Sequence, residues 1–141
     1  MDNRTNHSVA ALRDFKNISD QRLPLLRVNL ECLGDRTPDD RLDLVFIEIF
    51  WHFHAIKESA EKCDQTDIKE LIHCCEVVIE LLRRRKIEKS KGLYALLYEI
   101  IGAVPVIIQN RLDGIPQDPN WVKRLKGHLE EMTNPLFDFK V

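Results

Sequence analysis

Glu70-Leu71-Ile72-His73 sets a carboxylate and an imidazole three residues apart, a spacing at which two helical side chains can reach one metal, as in each half of a carboxylate-bridged di-iron bundle. The chain holds no second Glu-x-x-His, and Glu48 and His52 stand one residue further apart. His73 falls on the polar stripe of its own segment, so the tetrad reads as solvated surface. His52, His54, Cys63, His73, Cys74 and Cys75 are borderline zinc ligands, but their spacing fits no known zinc site, and adjacent cysteines on a helix point about 100° apart. The four cysteines, Cys32, Cys63, Cys74 and Cys75, are too few and too irregular for a disulfide framework and read as free thiols, small residues that fill a core. There is no glycine-rich phosphate cradle, no Gly-x-Ser-x-Gly elbow and no cysteine beside a base in a local signature. The expectation is a non-enzyme with no metal and no other cofactor.

The strongest charge feature is Arg83, Arg84, Arg85, Lys86, Lys89 and Lys91 against the single Glu88. Such a run can neutralise phosphates on RNA, DNA or lipid, or it can be a solvated helix end whose cations face the negative pole of the helix dipole. No aromatic residue interleaves it, so base stacking has no support. Trp51 and Tyr94 exceed what a narrow core seam needs and are candidates to meet a partner or a second copy of the chain. Leu136, Phe137 and Phe139 in the tail either dock on a partner or fold back on the bundle.

The 141 residues carry twenty-one Lys and Arg and twenty-three Asp and Glu, a formal charge of −2. One domain with one core fits that length, and no whole-protein field would hold a nucleic acid or an anionic membrane. No apolar run is read as long enough for a bilayer span, and the start MDNRTNHSVAALRDF has no basic-then-apolar leader, so an intracellular, cytoplasmic or nuclear, location is expected. On that expectation the three Asn-X-Ser/Thr acceptors at Asn3, Asn6 and Asn17 never meet the glycosylation machinery.

The elements that must position these residues are helical. Thr37-Pro38-Asp39-Asp40 offers a capping oxygen, a proline that needs no amide partner and two carboxylates for the positive end of a dipole. From it Leu42, Val45, Phe46, Ile49, Phe50, Phe53, Ile56 and Ala60 recur at helical spacing to about Lys62, with Ile47 and Trp51 widening the apolar face. A second helix opens at Thr66-Asp67 with Ile68, Leu71, Ile72, Cys75, Val78, Ile79 and Leu82 inward, and Lys69, His73, Glu76, Glu80 and Arg83 on the polar stripe. From Ser90 a third segment is apolar on nearly every side, the candidate central helix, with a break expected near Gly102 to Val104 ahead of Pro105. Asp113-Gly114, Pro116 and Pro119 mark a loop, and the last helix carries Trp121, Val122, Leu125, Leu129 and Met132 to Asn134-Pro135.

Residues 1–36 read as short helices packed on or flanking the bundle, although Leu26, Val28, Leu30 and Cys32 also alternate as a strand would. The expectation is an all-α, single-domain bundle of about five to six helices around a hydrophobic central one, with its core in 37–134 and a tail at 135–141.

Thr66-Asp67-Ile68-Lys69-Glu70-Leu71, Lys86-Ile87-Glu88 and Gly92-Leu93-Tyr94-Ala95-Leu96-Leu97 resemble the second-to-fourth-helix region of death effector domains. The Arg-x-Asp-Leu motif near that family's C-terminal end is missing, the only such tetrad being Arg41 to Leu44. Phe46-Ile47-Glu48-Ile49-Phe50-Trp51 and Ile100-Ile101-Gly102-Ala103 are similar to patches in diverged poxviral members of the B-cell-lymphoma apoptosis-regulator bundle, without its Asn-Trp-Gly-Arg groove motif. Both resemblances imply a helical interaction domain. The function expected is a non-catalytic protein–protein adaptor or inhibitor, able to self-associate and with no membrane role. The alternative is nucleic-acid or phosphate binding through Arg83 to Lys91.

Overall fold

The computed structural model describes residues 3–33 and 39–133, and among them the chain forms five helices and no strand. They are α1 (Asn3–Leu33), α2 (Asp39–Lys62), α3 (Thr66–Arg83), α4 (Lys91–Asp113) and α5 (Trp121–Thr133). α2 packs between α1 and α3, α4 lies along α1, and α5 closes the bundle against α3 and α4. The all-α bundle expected from the apolar periodicity is the fold observed.

α1 differs from the expected short helices. It is one helix of 31 residues that passes through Pro24. Its buried positions Phe15, Ser19, Leu23, Leu26, Leu30 and Leu33 step by three and four, the spacing of one helical face. The alternation at Leu26 to Cys32 was two phases of that period seen through a short window: Leu26 and Leu30 are buried, while Val28 and Cys32 are exposed. Burial of this face in the shared core, alongside residues of α2 to α5, outweighs the amide lost at Pro24.

The cap signals act locally. Ser90 Oγ accepts a hydrogen bond from the Leu93 amide at 3.0 Å to start α4, and Gly114, at φ 67°, ends it in the left-handed conformation that glycine adopts without strain. Asp118 Oδ1 accepts from the Asn120 amide at 2.9 Å just ahead of α5. Thr37 and Pro38 lie outside the described residues, as do Asn134, Pro135 and the tail.

α4 is not broken at Gly102 to Val104. It runs as one helix through Pro105, and Ile100, Ile101, Val104, Ile107 and Ile108 on both sides of the proline are buried, so core packing offsets the amide that the proline lacks. Its solvent stripe is Lys91, Ala95, Glu99, Gly102, Val106, Gln109 and Asp113. α3 shares the central position, exposing only Thr66 and Glu70 along its length. The reading that no segment matches a bilayer span also needs correction. Lys91–Asp113 reaches a mean hydropathy of 1.6 over an 18-residue window, with half of that window buried inside the bundle.

Candidate functional site

The outer face of α2 departs most from expectation. Ile47 and Trp51 do not widen the buried face: with Leu44 they form a stripe at i, i+3 and i+7 that is 61% exposed at Leu44, 37% at Ile47 and 59% at Trp51. The core already has its aromatic content on this helix in Phe46 and Phe53, which point the other way. Trp51 is nevertheless held. Phe50 meets it edge-on at 6.0 Å between ring centroids and His54 at 5.7 Å, while the Phe50 and His54 rings stack at 5.9 Å, 13° from parallel.

His54 is fixed in turn from beneath. Its Nδ1 lies 2.9 Å from Glu76 Oε2 on α3 and its Nε2 3.1 Å from Glu58 Oε1 one turn along α2, so both ring nitrogens face carboxylates. Glu76 is a buried residue, 2% exposed, whereas the periodicity of α3 placed it on the polar stripe. Its other oxygen receives Lys57 Nζ at 2.6 Å, with His73 Nδ1 at 3.4 Å. A carboxylate can be buried here because a lysine and two histidines surround it. The network joins α2 to α3 directly beneath the aromatic cluster and orients the ring against which Trp51 rests.

The Glu70 and His73 pair does not converge: Glu70 Oε2 pairs with Lys126 of α5 at 3.6 Å, and His73 turns to Glu76. Among the described residues no group of three or more His, Cys, Asp or Glu is arranged to hold a metal ion. Cys63, Cys74 and Cys75 are buried free thiols and Cys32 is exposed. Burial pushes the Cys74 thiol up to about 11 and also raises the Cys75 thiol well above its ordinary value, which keeps both protonated and poorly nucleophilic. His52 stands apart from His54, its Nδ1 3.3 Å from Arg22 of α1. Burial and the Arg22 charge hold its pKa below the usual imidazole value, which suits a ring that accepts from the guanidinium.

The basic segment is divided by the fold. Arg83 donates to Glu80 through Nε at 3.1 Å and to Asp43 of α2 through Nη1 at 3.3 Å, and Arg84 donates to Glu80 at 2.8 Å. Those arginine bonds keep the Glu80 carboxyl below its ordinary value despite partial burial. Arg85 turns the chain at φ 58°. Lys86, Lys89 and Lys91 are exposed and make no ion pair among the described residues. Beside them a cleft of about 510 Å³ opens between the start of α2 and the connection from α3 to α4, lined by Leu42, Phe46, Leu82 and Ile87 among apolar residues and by Asp43, Arg83, Arg85, Glu88 and Lys89 among charged ones.

Tyr94 does not join Trp51. Its ring packs against the core on α4, and its hydroxyl is enclosed without a hydrogen-bond partner among the described residues. Burial raises its phenol above the ordinary value. Leu136, Phe137 and Phe139 lie outside the described residues. Sequence reading singled out Trp51 and the arginines but missed Lys57, His54 and Glu76 as a unit. The available signal was the flanking of Glu76 by Cys74, Cys75, Val77, Val78 and Ile79; an acid in so apolar a run needs a partner from another helix, and only the α2 to α3 register supplies one.

No family model, curated protein or solved structure matches the chain. The two motif resemblances therefore rest on their motifs alone.

Proposed function

We propose that the chain is a non-catalytic protein–protein interaction domain, an adaptor or inhibitor, whose recognition surface is the outer face of α2. The observation that carries this reading is Trp51, a large ring 59% exposed yet clamped by Phe50 and His54. Exposed aromatics held in one orientation are the side chains that anchor interfaces, since little conformational entropy remains to be lost on docking. Leu44 and Ile47 extend the same stripe with apolar area that a monomer leaves in water at a cost. The Glu76 network supports the reading too, because it spends a buried charged group on holding the helix and ring beneath that surface.

The nucleic-acid alternative through Arg83 to Lys91 has less support, since Arg83 and Arg84 are engaged by Glu80 and Asp43. Affinity purification of the tagged chain from extract, with and without nuclease, separates the two. A protein that stays bound after nuclease and is lost with Ile47→Asp supports the interaction reading. Retention that vanishes with nuclease, or weakens steeply with salt, supports the alternative. Sedimentation over a concentration series identifies the case in which the partner is a second copy.

A further inference from the structure

The cleft beside the basic segment has an apolar floor and a basic rim. Leu42 and Ile87 are half-buried at its mouth, with Phe46 and Leu82 buried behind them. Its volume of about 510 Å³ is several times that of one large side chain and falls in the range of built ligand sites. Asp43, an acid on its wall, is already engaged by Arg83 at 3.3 Å. Lys89 on the rim and Lys86 beside it have no ion-pair partner among the described residues, which leaves Glu88 opposed by an excess of positive charge. The cleft adjoins the α2 stripe: Ile47 lies one helical turn beyond Asp43.

We propose that this cleft seats an acidic segment of the protein partner, with one large apolar side chain of that segment on the Leu42, Phe46, Leu82 and Ile87 floor and its carboxylates against Lys86 and Lys89. This rests on the reading of the chain as an interaction domain and adds the chemistry of what it binds. Charge complementarity selects the occupant: an apolar anchor alone would leave the lysines unanswered, and a polyanion without an anchor would leave the floor empty. A nucleic acid fits less well, because Phe46 is the only ring in the lining and one ring supplies no platform for successive bases to stack on.

The test is selection of random twelve-residue displayed peptides on the immobilised full-length chain, then fluorescence anisotropy of the most enriched peptide and of a labelled single-stranded RNA twelve-mer. The inference expects enriched peptides rich in Asp and Glu around one Leu, Phe or Trp, with binding weakened about tenfold or more by the paired change Lys86→Glu and Lys89→Glu. Ile87→Asp should weaken it as well. Both variants alter partly or fully exposed side chains, and circular dichroism with thermal melting establishes that they fold. Enriched peptides without acidic bias, lost with Trp51→Ala but not with the lysine changes, overturn the cleft while leaving the interaction reading intact. No enrichment at all, or RNA binding that the same lysine changes abolish, overturns the cleft inference outright.

Discussion

Lys57 on α2 and Glu76 on α3 form an ion pair of 2.6 Å in which the carboxylate side chain is 3% exposed. The histidines on its other flanks make this the main polar joint between the two helices. Glu76→Gln removes the charge and leaves Lys57 and His54 facing an amide that cannot answer both, with an expected loss of about 1 to 3 kcal/mol. The double change Lys57→Met with Glu76→Leu should cost less than the sum of the single changes, because no charge is then left enclosed. Urea denaturation of the three variants measures both effects.

The helical class, α2, α3, α5 and the start and end of α4 were legible because their cues are local, while the break expected near Gly102 to Val104 is absent from α4. Thr66, Ser90, Gly114 and the spacing of Phe46, Ile49, Phe53 and Ile56 need no knowledge of neighbours. α1 was less so, since Leu26 to Cys32 satisfies a period of two as well as one of 3.6, and the answer came from Phe15 and Leu23, which share a face with Leu26. The site was half legible. Apolar residues at Ile47 and Trp51 do not say which way a helix faces, and Glu76 could be placed inside only once the lysine and histidine opposite were known.

Gly102 lies on the solvent stripe of α4, and a Cβ added there meets nothing within 4 Å. Gly102→Ala should therefore stabilise the protein by about 0.5 to 1 kcal/mol by removing backbone freedom from the unfolded chain. Thermal melting reads this as a rise in Tm; a fall would mean that α4 bends at this residue.

Ile101, 3% exposed, is part of the core that keeps α4 continuous across Pro105. Ile101→Ala should cost about 2 to 5 kcal/mol through the cavity it leaves. Replacing Pro105 with Ala should be far milder or even stabilising, since the helix already continues through this position and regains an amide donor. Chemical denaturation of each variant checks the contrast.

Arg111 on α4 grips Asp67 at the start of α3 with two bonds, Nη1 to Oδ1 at 3.1 Å and Nη2 to Oδ2 at 2.6 Å. Burial alone would raise the Asp67 carboxyl, but the arginine bonds and charge, with the Ile68 amide, bring it below its ordinary 3.8. A group lowered by folding stabilises the native state above its unfolded pKa and loses that contribution as pH falls through the folded one. Asp67→Asn should thus be less stable than the parent at pH 6 by up to ~1 kcal/mol, the side chain being 44% exposed, and the gap should close as pH falls below 3.8. Urea midpoints at pH 6, 4 and 2.5 follow the closure.

Trp51→Ala carries the central claim, because the ring is exposed and its removal should leave the fold intact. The decisive measurement pairs its melting temperature with its retention of the partner captured by the parent chain after nuclease. The expected result is a melting temperature only slightly below that of the parent, since the two partly exposed ring contacts of Trp51 contribute about 1 kcal/mol, and loss of most of the partner. A variant that melts far lower, or that keeps the partner at the parent's level, would contradict the assignment of the α2 outer face as the recognition surface.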